Sequence, residues 1–110
     1  MTAGHPHLKR DIETLYDAFL TLQNEDDVRN FLKDLCTGQE IRAFAERFRV
    51  AQLLDQGQLS YREISDQTGV STTTVTRVAK YLRDEPHQGY RRVLDRMNVL
   101  DRMKEPKELK

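Results

Sequence analysis

Leu8, Ile12, Leu15, Phe19 and Leu22 follow one another at alternating steps of four and three residues. That spacing puts them on one stripe of a helix, with a seam like that of a short coiled coil. Asn24 interrupts the stripe, and Glu25, Asp26 and Asp27 supply first-turn acids suited to the positive end of a helix dipole. Val28, Phe31, Leu32 and Leu35 then predict a short second helix. Thr37 with Glu40 has the spacing of a capping box, opening a third helix whose inner face holds Ile41, Phe44, Ala45, Phe48, Ala51 and Leu54, with Gly57 as its stop. Ser60 with Glu63 repeats the box and begins a fourth helix, Tyr61 to Thr68, closed by Gly69. Ser71 caps a fifth, Thr72 to Arg83, which Asp84, Glu85 and Pro86 end. Tyr90, Val93, Leu94, Met97 and Leu100 mark a sixth, and residues 104–110, with Pro106, are expected to fray. No alternating strand pattern and no repeat occurs, so the expectation is an all-α chain forming a single domain over residues 1–110.

Residues 61–83 carry the most specific signal, a helix-turn-helix. That motif needs a small residue where the helices cross, a glycine able to take positive φ in the turn, and apolar residues within both helices. Ser65, Gly69 and the set Ile64, Val70, Val75 and Val78 meet these needs. Ser65 stands where alanine is usual, and Thr68 where an apolar residue is common. With Val75 and Val78 inside, the helical period turns Thr72, Thr73, Thr76, Arg77 and Lys80 outward. Threonine brings a hydroxyl and a methyl to a major groove, and Arg or Lys reaches guanine or phosphate. With the cap Ser71 and the last-turn Arg83, the expected DNA-contacting set on this helix is Ser71, Thr72, Thr73, Thr76, Arg77, Lys80 and Arg83.

Charge at first argues the other way. The 110 residues hold 18 Lys plus Arg and 18 Asp plus Glu, a net charge of zero, whereas phosphate binding needs local positive charge. Residues 1–40 hold 4 basic and 8 acidic side chains, residues 41–83 hold 7 and 4, and residues 84–110 hold 7 and 6. Neutrality thus conceals an acidic first third and a basic middle, and no acid lies between Gly69 and Arg83. With 37% apolar and 33% charged residues the chain is lean for a self-sufficient globule, so burial against a second subunit is expected. No run of about 18 apolar residues and no basic-then-apolar leader is present; the expectation is a soluble, cytoplasmic protein without membrane contact.

Chemistry is sparse. The three histidines, at 5, 7 and 87, have no nucleophile beside them, and there is no phosphate loop and no metal-ligand spacing. Neither an enzyme nor a metal or cofactor is expected. Cys36, the single cysteine, reads as a buried structural thiol. The rival to a DNA binder is a dimeric adaptor that uses the helix-turn-helix, or its acidic first third, to hold another protein.

RFR at 47–49, LLDQGQLSYREIS at 53–65 and TGVSTTTVTR at 68–77 carry a resemblance over about residues 32–84. In these segments the chain resembles the Trp-repressor family, and within it the YerC/YecD-like branch. The resemblance implies an intertwined homodimer of six-helix subunits, with the fourth and fifth helices reading operator DNA, and a regulator acting as a repressor. Arg62, Thr72, Thr73 and Thr76 fall where the family contacts DNA. Thr37, Arg47 and Arg77 match residues that hold the carboxylate and flank the indole in the tryptophan-sensing member. Val78 replaces that member's glycine and Tyr81 its serine. Close-packed interiors have no slack for both side chains and an indole, so tryptophan is not expected to act as corepressor, and the identity of any effector stays open. A tryptophan-responsive repressor is the alternative within the family.

Overall fold

The computed structural model describes residues 6–104. Among them six helices and no strands are found: α1 Leu8–Phe19, α2 Glu25–Leu35, α3 Gly38–Gln56, α4 Tyr61–Thr68, α5 Thr72–Arg83 and α6 Gly89–Lys104. The expected frayed tail lies outside the described residues except for Lys104, which ends α6. None of these helices is long and apolar enough to cross a membrane. Two compact units result, Met1–Ile41 and Arg42–Lys110, and α3 contributes residues to each.

In the first unit, α1 ends at Phe19, one step before the stripe does. The Leu20 amide is shared between the carbonyls of Tyr16 and Asp17, and the Thr21 hydroxyl donates to the Ala18 carbonyl, tightening the last turn. Leu22 therefore lies beyond the helix. Asn24 caps α2 by accepting from the Asp27 amide at 2.9 Å, and Arg29 reaches both Glu25 and Asp26. Phe19 and Phe31 meet edge to face, centroids 5.3 Å apart. Neither α1 nor α2 buries a residue. Leu8, Ile12, Tyr16, Leu20, Val28 and Leu35 are all exposed, and Cys36, at the end of α2, is half-buried rather than sealed.

The second unit holds the core. Val50, Ala51, Leu53 and Leu54 of α3 pack with Ile64 of α4, with Val75, Val78, Ala79 and Leu82 of α5, and with Leu94 of α6. Burying a side chain of this kind contributes about 1.5–3 kcal/mol, so this cluster fixes the angle between α4 and α5. The inner face expected for α3 is only partly realised. Its second half is buried, but Phe44 and Ala45 are exposed. α6 is tied to α3 by charge: Arg91 donates to both Asp55 oxygens at 2.7 and 3.2 Å and to Asp95 at 2.7 Å. The Arg91 guanidinium hydrogen-bonded to Asp55 holds that carboxyl below the usual carboxylate range, and the two carboxylates raise Arg91 further.

Candidate nucleic-acid interface

The turn between α4 and α5 is built from its own hydroxyls. Gly69 takes φ +81°, a conformation that costs an L side chain about 1–2 kcal/mol. Ser65 donates to the Val70 carbonyl at 2.6 Å. Thr68 donates to the Ile64 carbonyl at 2.7 Å and accepts from the Val70 amide at 3.3 Å. The two departures from the usual motif are thus the residues that satisfy the turn's backbone. Ser60 and Glu63 form the reciprocal box that opens α4.

Ser71 accepts from the Thr74 amide at 3.1 Å and donates to the Thr74 hydroxyl at 3.1 Å, which lets a threonine-rich segment begin as a helix despite its weak propensity. Val75, Val78, Ala79 and Leu82 are buried, and Thr72, Thr73, Thr76, Arg77 and Lys80 are exposed on the opposite side. Arg62 is exposed on α4. The Thr76 hydroxyl donates to the Thr72 carbonyl at 3.0 Å, leaving its oxygen as an outward acceptor. Lys80 Nζ lies 3.7 Å from Glu85. Arg83 turns toward the other helices of its unit, donating to the Tyr61 hydroxyl and the Leu54 carbonyl, each at 3.4 Å. What results is an exposed strip of hydroxyls and cations on a rigid buried base, a surface suited to a polyanion.

Beside this strip lies a cavity of about 550 Å³, lined by Arg47, Phe48, Arg77, Val78, Tyr81, His87, Gly89, Tyr90 and Val93. Four of the five residues expected for an effector pocket, Arg47, Arg77, Val78 and Tyr81, come together here. Thr37 belongs to the first unit, where its hydroxyl and amide are engaged with Glu40 at 3.1 and 2.8 Å at the start of α3. Val78 is turned into the core, and the Tyr81 ring lies under Arg77, with Cζ 5.2 Å from the ring centroid. Arg47 lies over Phe44 at the same separation, 5.2 Å.

His87, Phe48 and Tyr90 line the cavity without having been marked by sequence reasoning. Phe48 and Tyr90 pack at 6.5 Å between centroids, and His87 stacks on Tyr81 at 5.9 Å with 20° between planes. The apolar steps of α3 and α6 are the signal for the first two. His87 sits in the loop between helices, where no periodicity points to it. Among the described residues no cluster of His, Cys, Asp or Glu is arranged to hold a metal.

Comparison with known proteins agrees with these observations. A protein of Bacillus subtilis (strain 168) named YerC is 34% identical over 88 residues, 80% of this chain and 83% of that protein. A Trp operon repressor homolog of Chlamydia trachomatis serovar D is 32% identical over 80 residues, 69% of this chain and 85% of its own. The crystal structure of a TrpR-like protein from Eubacterium eligens superimposes with a TM-score of 0.74 at 36% identity, over 82% of this chain and 91% of that one. A family model described as Trp repressor protein matches residues 10–98, and with the six helices and the helix-turn-helix in place the chain belongs to the Trp-repressor family.

Proposed function

We propose that the protein is a DNA-binding transcriptional regulator that acts as a repressor, binding a pseudo-palindromic double-stranded operator as a homodimer without tryptophan as corepressor. The observation that carries this reading is α5 itself: a buried face of Val75, Val78, Ala79 and Leu82 behind an acid-free exposed face of threonines, Arg77 and Lys80. Two copies of residues 61–83 enter successive major grooves about 34 Å apart. Thr72, Thr73 and Thr76 face base edges with Arg77, while Ser71 sets the start of the reading helix against the backbone. Arg62, Lys80 and Arg83 lie on phosphates; Arg83 uses part of its five-donor fork on Tyr61 and Leu54. Threonine contacts are tolerant, so part of the specificity comes from DNA shape.

The uncovered apolar side chains of α1 and α2 and, in the second unit, of Val93, Met97, Leu100 and Met103 on α6 support the dimer. Independence from tryptophan is supported by Tyr81, whose ring already occupies one flat face of Arg77. An indole at that face must displace it.

The test is selection of bound sequences from random DNA, followed by gel-shift titration with and without tryptophan. The expected outcome is a two-half-site sequence whose affinity tryptophan leaves unchanged. Arg77→Ala or Lys80→Ala each weakens binding by about 1–3 kcal/mol while the dimer stays folded. Unchanged affinity in both variants would remove α5 as the reading helix.

A further inference from the structure

Arg77 is exposed on the reading face, and among the described residues no carboxylate pairs with it. What holds it is the ring of Tyr81 one turn later, with the guanidinium carbon 5.2 Å from the ring centroid. Tyr81 is itself half-buried and stacked by His87, at 5.9 Å and 20°. His87 Nε2 lies 3.8 Å from one Glu85 oxygen, and the other Glu85 oxygen lies 3.7 Å from Lys80 Nζ. The short connection between α5 and α6 thus reaches back to Lys80 through Glu85 and to the Tyr81 ring beneath Arg77 through His87.

We propose that Tyr81, backed by His87, is a positioning residue that sets the Arg77 guanidinium on the reading face before DNA arrives. This rests on the reading of α5 as the DNA-reading helix. A long arginine side chain loses rotamer freedom when it docks, and a chain already ordered on a ring gives up less of it. The ring face supplies that order by cation–π attraction without consuming any of the five guanidinium donors, which remain for a base or phosphate. The Tyr81 hydroxyl has no part in this, so a plain aromatic ring serves equally well.

The experiment measures fluorescence anisotropy on the selected DNA site for the full chain and for Tyr81→Phe, Tyr81→Leu, His87→Leu and Arg77→Ala, with the two leucine variants also made in the Arg77→Ala background. Tyr81→Phe is expected to bind within about two-fold of the parent. Tyr81→Leu, which keeps apolar volume but no ring face, loses about five-fold, the scale of one exposed cation–π contact. His87→Leu, an exposed change that the fold tolerates, loses less and in the same direction. Neither leucine variant costs anything further once Arg77 is gone. A merely structural role for Tyr81 gives instead equal losses with and without Arg77. That result, or parent-like affinity for Tyr81→Leu and His87→Leu, or a Phe variant as weak as Leu, overturns the positioning role and leaves the DNA-reading assignment standing. A parent protein that retains no DNA overturns both.

Discussion

The chain turns between α4 and α5 within three residues, and Gly69 makes the turn with φ at +81°. A Cβ built there meets no atom within 4 Å, so crowding has no part in the need for glycine and the whole cost of replacement is conformational. Gly69→Ala is expected to lower stability by about 1–2 kcal/mol in urea titrations, with a smaller loss for Gly69→Asn, whose short amide tolerates the left-handed region. The sequence alone marks this glycine, because its place four residues after Ser65 belongs to the motif. It does not show why Ser65 and Thr68 are there. Their partners, the carbonyls of Val70 and Ile64, face them only once the turn has formed. His87 escaped sequence reading for a related reason. Six residues from Tyr81 and beyond the end of α5, it reaches that ring by the path of a loop, which no helical period encodes. The Arg77–Tyr81 contact, at the ordinary spacing of one helical turn, is visible in the sequence once the helix is granted.

At the scale of elements, helix starts were the most legible feature, since a cap is a local event. Thr37 with Glu40, Ser60 with Glu63, and Ser71 all make the hydrogen bonds their spacing predicts, and Asn24, read from the sequence only as a break in the stripe, caps α2 as well. Faces were less legible, because burial depends on what lies opposite. Ile41, Phe44 and Ala45 continue the apolar period of α3, yet the core takes up only its second half. The tie between α3 and α6 was not visible either, as Asp55 and Arg91 stand 36 residues apart. It makes a prediction about pH. Asp55 is held below its ordinary value by Arg91, so its contribution is fully present above the unfolded carboxylate value of about 3.9 and is lost as pH falls through the folded one. Asp55→Asn is expected to cost about 1 kcal/mol at neutral pH, discounted because about a third of the Arg91 side chain is exposed. In thermal melts the gap between the variant and its parent should hold from pH 7 to about 5 and close below about 4.

For the molecule as a whole, a net charge of zero describes no single region. The basic middle carries the exposed strip of hydroxyls and cations, while the acidic first third opposes indiscriminate attraction to polyanions. The apolar side chains left in the open, with Leu20 at 83% and Leu100 at 53% exposure, set the other global property. If a second copy covers them, Tm rises with protein concentration, and Ile12→Asp or Leu100→Asp yields single subunits of lower Tm in sedimentation and scanning calorimetry. A Tm independent of dilution would sink the dimer. The uncovered faces then also shape a dose response. Where subunits are mostly apart, the number of assembled dimers grows with the square of the amount of chain, and so does occupancy of a site that needs both halves. Halving synthesis of the protein would leave about a quarter of the bound complexes, and a gene under its control would respond to its abundance more as a threshold than as a dial.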